Sequence, residues 1–233
     1  MSYSGLGVYQ QQPPKRPSRA PLWIALAVVA VLVVGAGVTA IVVLNSGDGR
    51  AAEPTSTSTT SSAAEPDWQA VEDEKAGLTY ELPPSWEAGG AGSSGRVKLS
   101  TTYVSRPFQC QGRSMIQAQA MAGSIVHEDP EQVATELVKR IAAGGYTVNN
   151  APPEIGEPRV ETGDGEVVRL SVEVTPKSAN ACYAPKATVS AVAMRNGSEV
   201  AVFVLNVAEG GPHVAEGPSD DDVERILGSV RQS

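Results

Sequence analysis

The chain has 233 residues, with 18 Lys/Arg against 26 Asp/Glu and a formal net charge of −8. From residue 67 onward the balance is 14 to 23, a net charge of −9. That acidity argues against nucleic acid, whose phosphates it would repel, and against electrostatic docking onto anionic lipid. It is spread along the chain, as on a soluble extracellular surface.

Residues 1–21 form a short tail containing YQQQPPKRP, too short to fold and disordered or polyproline-like in composition. Residues 22–44, LWIALAVVAVLVVGAGVTAIVVL, are apolar throughout and carry no charge. At about 1.5 Å per residue this run is long enough to cross a hydrocarbon core of about 30 Å as one helix. Lys15, Arg16 and Arg19 precede it, and Asp48, Arg50 and Glu53 follow. The positive-inside rule then predicts a cytoplasmic N-terminus and an extracytoplasmic remainder, so the bilayer is the expected partner of residues 22–44. Val38-Thr39-Ala40 would suit signal cleavage, but the run exceeds the ~7–15 residues of a signal core. We therefore expect an uncleaved signal-anchor and a single-pass cell-membrane protein.

Residues 45–66 hold no large apolar side chain and read as a Ser/Thr/Pro-rich linker. Its ends would lie roughly 25 Å apart as a flexible coil. The hydroxylated run Thr55–Ser62 suits O-glycosylation or a plain solvated spacer.

Residues 67–233 are enough for one domain with a real core. Leu78, Tyr80 and Leu82 alternate with Thr79 and Glu81 as in a strand, ended by Pro83-Pro84. Val97, Leu99, Thr101 and Tyr103 alternate likewise, and so do residues 115–125, where the alanines keep helix in competition. Asp129-Pro130-Glu131-Gln132 predicts an N-cap, a proline at N1 and a Gln at N3. Val133, Leu137 and Ile141 would then line one helix face, with Gly144-Gly145 as the stop. A hairpin is expected over 157–174 about Gly163-Asp164-Gly165. A second, over 187–207, is expected to turn at Asn196-Gly197 in type I′ geometry. That turn would set Ala191 opposite Val202 and Val189 opposite Val204 on one face. Val192 with Ala201, and Ser190 with Phe203, would share the other. Apolar groups on both faces predict central strands covered on each side. Ser219 should cap a last helix, with Asp220, Asp221 and Asp222 at its positive end and Val223, Ile226, Leu227 and Val230 as its buried stripe.

The fold class expected is α+β: a single-pass transmembrane helix followed by one extracytoplasmic domain. In that domain a mostly antiparallel sheet is packed by a central and a C-terminal helix. Cys110 and Cys182 are the only cysteines. Outside a membrane such a pair predicts one disulfide, worth roughly 4 kcal/mol through loop closure. No metal-ligand spacing surrounds either.

GLTYELPPSWE, Cys110, the single central helix, Cys182 before a Val-rich hairpin and the closing ERILGSVR together resemble a family of actinobacterial membrane-anchored domains of unknown function. They are also similar to the broader Mog/PsbP/LpqN-type α/β/α sandwich. The resemblance implies a fold, a cell-envelope setting and binding or accessory roles, and it supplies no catalytic residue.

His127-Glu128-Asp129, at the entry to the central helix, suits a metal or acid–base site or, more simply, a loop ending in the Asp129 cap. His213 lies among turn-formers. The glycine-rich stretch 89–95 lacks the Gly-Lys-Ser/Thr ending of a phosphate loop. Asp220-Asp221-Asp222 is explained by helix capping, and Asn196-Gly197-Ser198 fits both a glycosylation pattern and a turn. No catalytic, cofactor-binding or metal-ligating residue is assigned, and no cofactor is expected. The function expected is a non-enzymatic binding or accessory module of the cell envelope, with an unknown envelope protein, glycan or lipid as partner. The alternative is an envelope hydrolase or transferase whose site assembles only in the fold. Trp68, Trp86 and Tyr103 are the aromatic groups to follow, with a core role for each as the simpler reading.

Overall fold

A computed structural model describes residues 67–162, 167–177, 181–211 and 217–233. Strands β1 (Gln69–Asp73) and β2 (Leu78–Leu82) form a hairpin. Then come β3 (Glu87–Ala88), β4 (Gly92–Ser94), β5 (Val97–Val104), β6 (Phe108–Cys110), β7 (Arg113–Met115) and β8 (Ala118–Val126). Helix α1 (Pro130–Tyr146) precedes β9 (Glu154–Ile155), β10 (Arg159–Thr162), β11 (Val167–Thr175), β12 (Lys186–Asn196) and β13 (Glu199–Glu209). Helix α2 (Asp220–Ser229) and β14 (Arg231–Gln232) close the chain.

Every strand pairing among the described residues is antiparallel. The main sheet runs β10-β11-β12-β13-β8-β5-β3, with β4 also on β5 and β9 also on β11. A second sheet has the order β1-β2-β14, and among the described residues β6 pairs with β7 alone. The long central strands are apolar on both faces because both faces are covered. Val200, Val202 and Val204 pack with α1, while Ala201, Phe203, Leu205 and Val207 pack with β2 and α2. A fully buried valine contributes roughly 1.5–3 kcal/mol, so these two seams dominate the stability.

Both helices are set by local sequence signals. The Asp129 carboxylate accepts from the N–H groups of Glu131 and Gln132, and Pro130 stands in the first turn. Ser219 and Asp222 form a reciprocal capping box, with Asp220, Asp221 and Asp222 in the first turn of α2.

The transmembrane part of the expected fold class is corrected here. No helix among the described residues is long and apolar enough to cross a membrane. Helix α1, at 17 residues, spans about 26 Å and carries Glu131, Glu136, Lys139 and Arg140. The tail 1–21, the apolar run 22–44 and the linker 45–66 lie outside the described residues, as do the Gly163-Asp164-Gly165 turn and His213. The fold class carried by the structure is a mostly antiparallel sheet with two helices.

Three local expectations also change. Helix α1 continues through Gly144-Gly145 to Tyr146, because the Tyr146 side chain is buried and rewards the extra turn. In the β12–β13 hairpin Asn196 pairs with Glu199, so Gly197-Ser198 is the turn. Gly197 sits at φ +60°, as the first central position of a type II′ turn requires. Ala191 therefore faces Val204, Val189 faces Asn206, Val192 faces Phe203 and Ser190 faces Leu205. The slip is two residues, so every side chain keeps its expected face.

Finally, β5 does not alternate throughout. A bulge between Leu99 and Thr101 inserts Ser100. Val97 and Leu99 consequently pack on the α1 side, and Tyr103 on the β2 side. Ser100 Oγ donates to Asp73 Oδ2 at 2.6 Å, tying the small sheet to the large one.

Candidate functional site

Of the polar cluster expected at the entry to α1, Glu128 lines a shallow hollow. The β4–β5 hairpin supplies one wall, and α1 supplies the other through Gln132, Glu136 and Arg140. Val97, Ile125, Val133 and Leu137 line its apolar part. Gly95 stands at φ +60° in the hairpin turn, and a Cβ there would come within 2.7 Å of Arg140 Nε. The left-handed backbone calls for a glycine, whereas the exposed Arg140 side chain can move aside.

Arg96 binds Glu128 directly and lies 3.8 Å from Glu136 Oε2. Gln132 Nε2 donates to Glu136 Oε1 at 3.1 Å. The hollow itself is about 20 Å³, room for about one water molecule. Most of these charges are solvated, so their pairing adds little to stability.

The three residues of the His127-Glu128-Asp129 cluster do different things. His127 is exposed, with φ +56°, and its N–H donates to the Ser198 carbonyl at 2.9 Å. Glu128 is held by Arg96, and Asp129 caps α1. Among the described residues no group of three or more His, Cys, Asp or Glu side chains stands close enough to hold a metal ion.

Cys110 and Cys182 are joined in a disulfide, with Cα atoms 5.7 Å apart across 72 positions. The β6–β7 hairpin carrying Cys110 turns at Gln111 and Gly112, both at positive φ. This is the pattern of a type I′ turn, and the Gln-Gly dipeptide was its only sequence signal. Phe108, Met115 and Cys182 cluster with Cys110 and Tyr183. A second hollow, again about 20 Å³, lies beside this cluster and reaches Gln117 and Tyr146.

Tyr146 donates its hydroxyl to Asn206 Oδ1 at 2.6 Å. Burial pushes its phenol well above the ordinary tyrosine range; the Asn206 hydrogen bond opposes that rise and the Glu209 charge adds to it. Burial likewise raises Tyr80, with smaller contributions from the neighbouring Asp73 and Tyr103. Neither Tyr146 nor Asn206 was distinguishable in the sequence, because they stand 60 positions apart. Of the three aromatics to follow, Trp86 is buried in the core. Tyr103 is half-buried, edge-on to Tyr80 at 6.4 Å. Trp68 is half-buried beneath the Arg225 guanidinium, 4.1 Å from its ring centre.

A family model described as a domain of unknown function, DUF8017, matches residues 61–233. The chain belongs to the DUF8017 family. No curated protein sequence matches it. The DUF8017 fold is similar to the solution structure of cyanobacterial PsbP (CyanoP) from Synechocystis sp. PCC 6803. Sequence identity is 14%, over 74% of this chain and 96% of that one, with a TM-score of 0.42. It is similar to the same degree to the Ran-binding protein Mog1p of Saccharomyces cerevisiae. There the identity is 11%, over 72% and 96% of the two chains, with a TM-score of 0.42.

Proposed function

We propose that the DUF8017 domain is a non-enzymatic binding or accessory module of the cell envelope that meets a protein, glycan or lipid by surface contact. The size of its concavities supports this reading. The two hollows described above are about 20 Å³ each, against the ~300–1,000 Å³ of pockets that enclose small-molecule ligands. A partner of this domain would thus be met on the outside of the fold. Work outside the reducing cytoplasm is supported by the Cys110–Cys182 disulfide.

The competing reading is a hydrolase or transferase, which needs a nucleophile and a base within hydrogen-bond reach. Its best candidate base among the described residues is His127, whose neighbours Glu128 and Asp129 are already engaged. The test is complementation of the defect shown by a deletion strain. His127→Asn removes the imidazole and suits the left-handed backbone at that position. Both His127→Asn and His213→Ala are expected to rescue fully, and tagged protein should capture a partner from cross-linked envelopes. Loss of rescue at normal abundance would overturn the binding-module reading.

A further inference from the structure

We propose that β10 is a self-pairing edge through which two copies of this chain associate, their β10 strands antiparallel and centred on Val160. Among the described residues, strand β10 is the end of the main sheet and pairs only with β11. Alternate residues of such an edge turn N–H and C=O groups outward, ready to accept another strand. Val160 is 42% exposed, one of two large hydrophobic side chains left exposed among the described residues.

The charge pattern selects the occupant. In Arg159-Val160-Glu161 a two-fold axis at Val160 sets Arg159 opposite Glu161 of the second copy, and Glu161 opposite its Arg159. Centring the axis on Arg159 or on Glu161 would instead place like charges face to face, which is unfavourable. One register is therefore preferred, and its partner is the strand itself, as an isologous two-fold contact demands. Arg159 already bonds Glu173 at 2.6 Å, but those side chains are 74% and 63% exposed. An ion pair so solvated is weak, and Arg159 can be shared. Pro158, just before the strand, has no N–H and keeps the paired segment short. Four residues per copy fall well short of the roughly 1,200 Å² of a stable interface, so the dimer is weak and reversible.

The test uses the full chain in detergent solution, which accommodates the apolar run 22–44. Directly opposed residues have Cβ atoms roughly 4.5–5.5 Å apart, close to the spacing of a disulfide. Cys110 and Cys182 are already joined, so Val160→Cys introduces one new thiol. Mild oxidation should convert this variant to a disulfide-linked dimer on a non-reducing gel. Val126→Cys, at the other exposed valine, should stay monomeric. In the Val160→Cys background, Arg159→Glu or Glu161→Arg should slow cross-linking several-fold, and the two together should restore it. Absence of dimer from Val160→Cys, equal cross-linking from Val126→Cys, or indifference to the charge changes would each overturn the proposal.

Discussion

Tyr146, the last residue of α1, bonds through its hydroxyl to Asn206 at the centre of the sheet, 2.6 Å away. Both residues are buried, Asn206 to 1% exposure. A buried amide must find partners or be penalised by its lost hydration. The helix therefore extends past two glycines that would otherwise have ended it, and the sheet tolerates a polar side chain among its valines.

Removing that hydroxyl leaves the Asn206 oxygen without its phenol partner. Tyr146→Phe should lower unfolding free energy by about 1–3 kcal/mol. The measurement is the urea midpoint, with far-ultraviolet circular dichroism to show that the fold is retained.

Alkaline pH should weaken the domain in a defined direction. Tyr80 and Tyr146 both have folded pKa values raised above the unfolded one, chiefly by burial. Their contribution is complete below the ordinary tyrosine value of about 10. It is lost as pH climbs from there through the raised values. Denaturation midpoints taken across alkaline pH should fall, and the fall should be shallower in Tyr146→Phe. A midpoint independent of pH above 10 would show that these phenols titrate normally.

Two glycines should respond in opposite ways to alanine. A Cβ on Gly123 would lie 2.3 Å from the Lys98 carbonyl, where β5 crosses close to β8 at its bulge. Backbone cannot easily yield, so Gly123→Ala should destabilise by about 1–3 kcal/mol or more. Gly144 lies within α1 with nothing inside 4 Å of its would-be Cβ. Gly144→Ala should stabilise by about 0.5–1 kcal/mol through helix propensity. Thermal melts of the two variants beside the parent chain decide both.

Reduction of the Cys110–Cys182 bridge should lower stability by about 4 kcal/mol in the chain-entropy account. The β6–β7 hairpin has no other strand neighbour among the described residues, so its amides should lose exchange protection first. Hydrogen exchange with and without reductant should localise the change to residues 106–117 and 181–186. Uniform loss of protection would mean that the bridge holds the whole domain and not this corner.

Elements with a local cause were legible in the sequence. Asp129-Pro130 and Ser219 with its acidic first turn announced the two helices, because caps act within four residues. Alternation disclosed which valines of β11, β12 and β13 share a face, because strand geometry fixes a period of two. Tertiary packing decided the rest. It drew the alanine-rich β8 into a strand between β5 and β13, moved the β12–β13 turn to Gly197-Ser198 and flipped β5 at Ser100. It also joined Tyr146 to Asn206 and Asp73 to Ser100, and it committed Glu128 to Arg96. Each of those depends on groups distant in sequence meeting in a close-packed interior, where one buried contact outweighs a weak local preference.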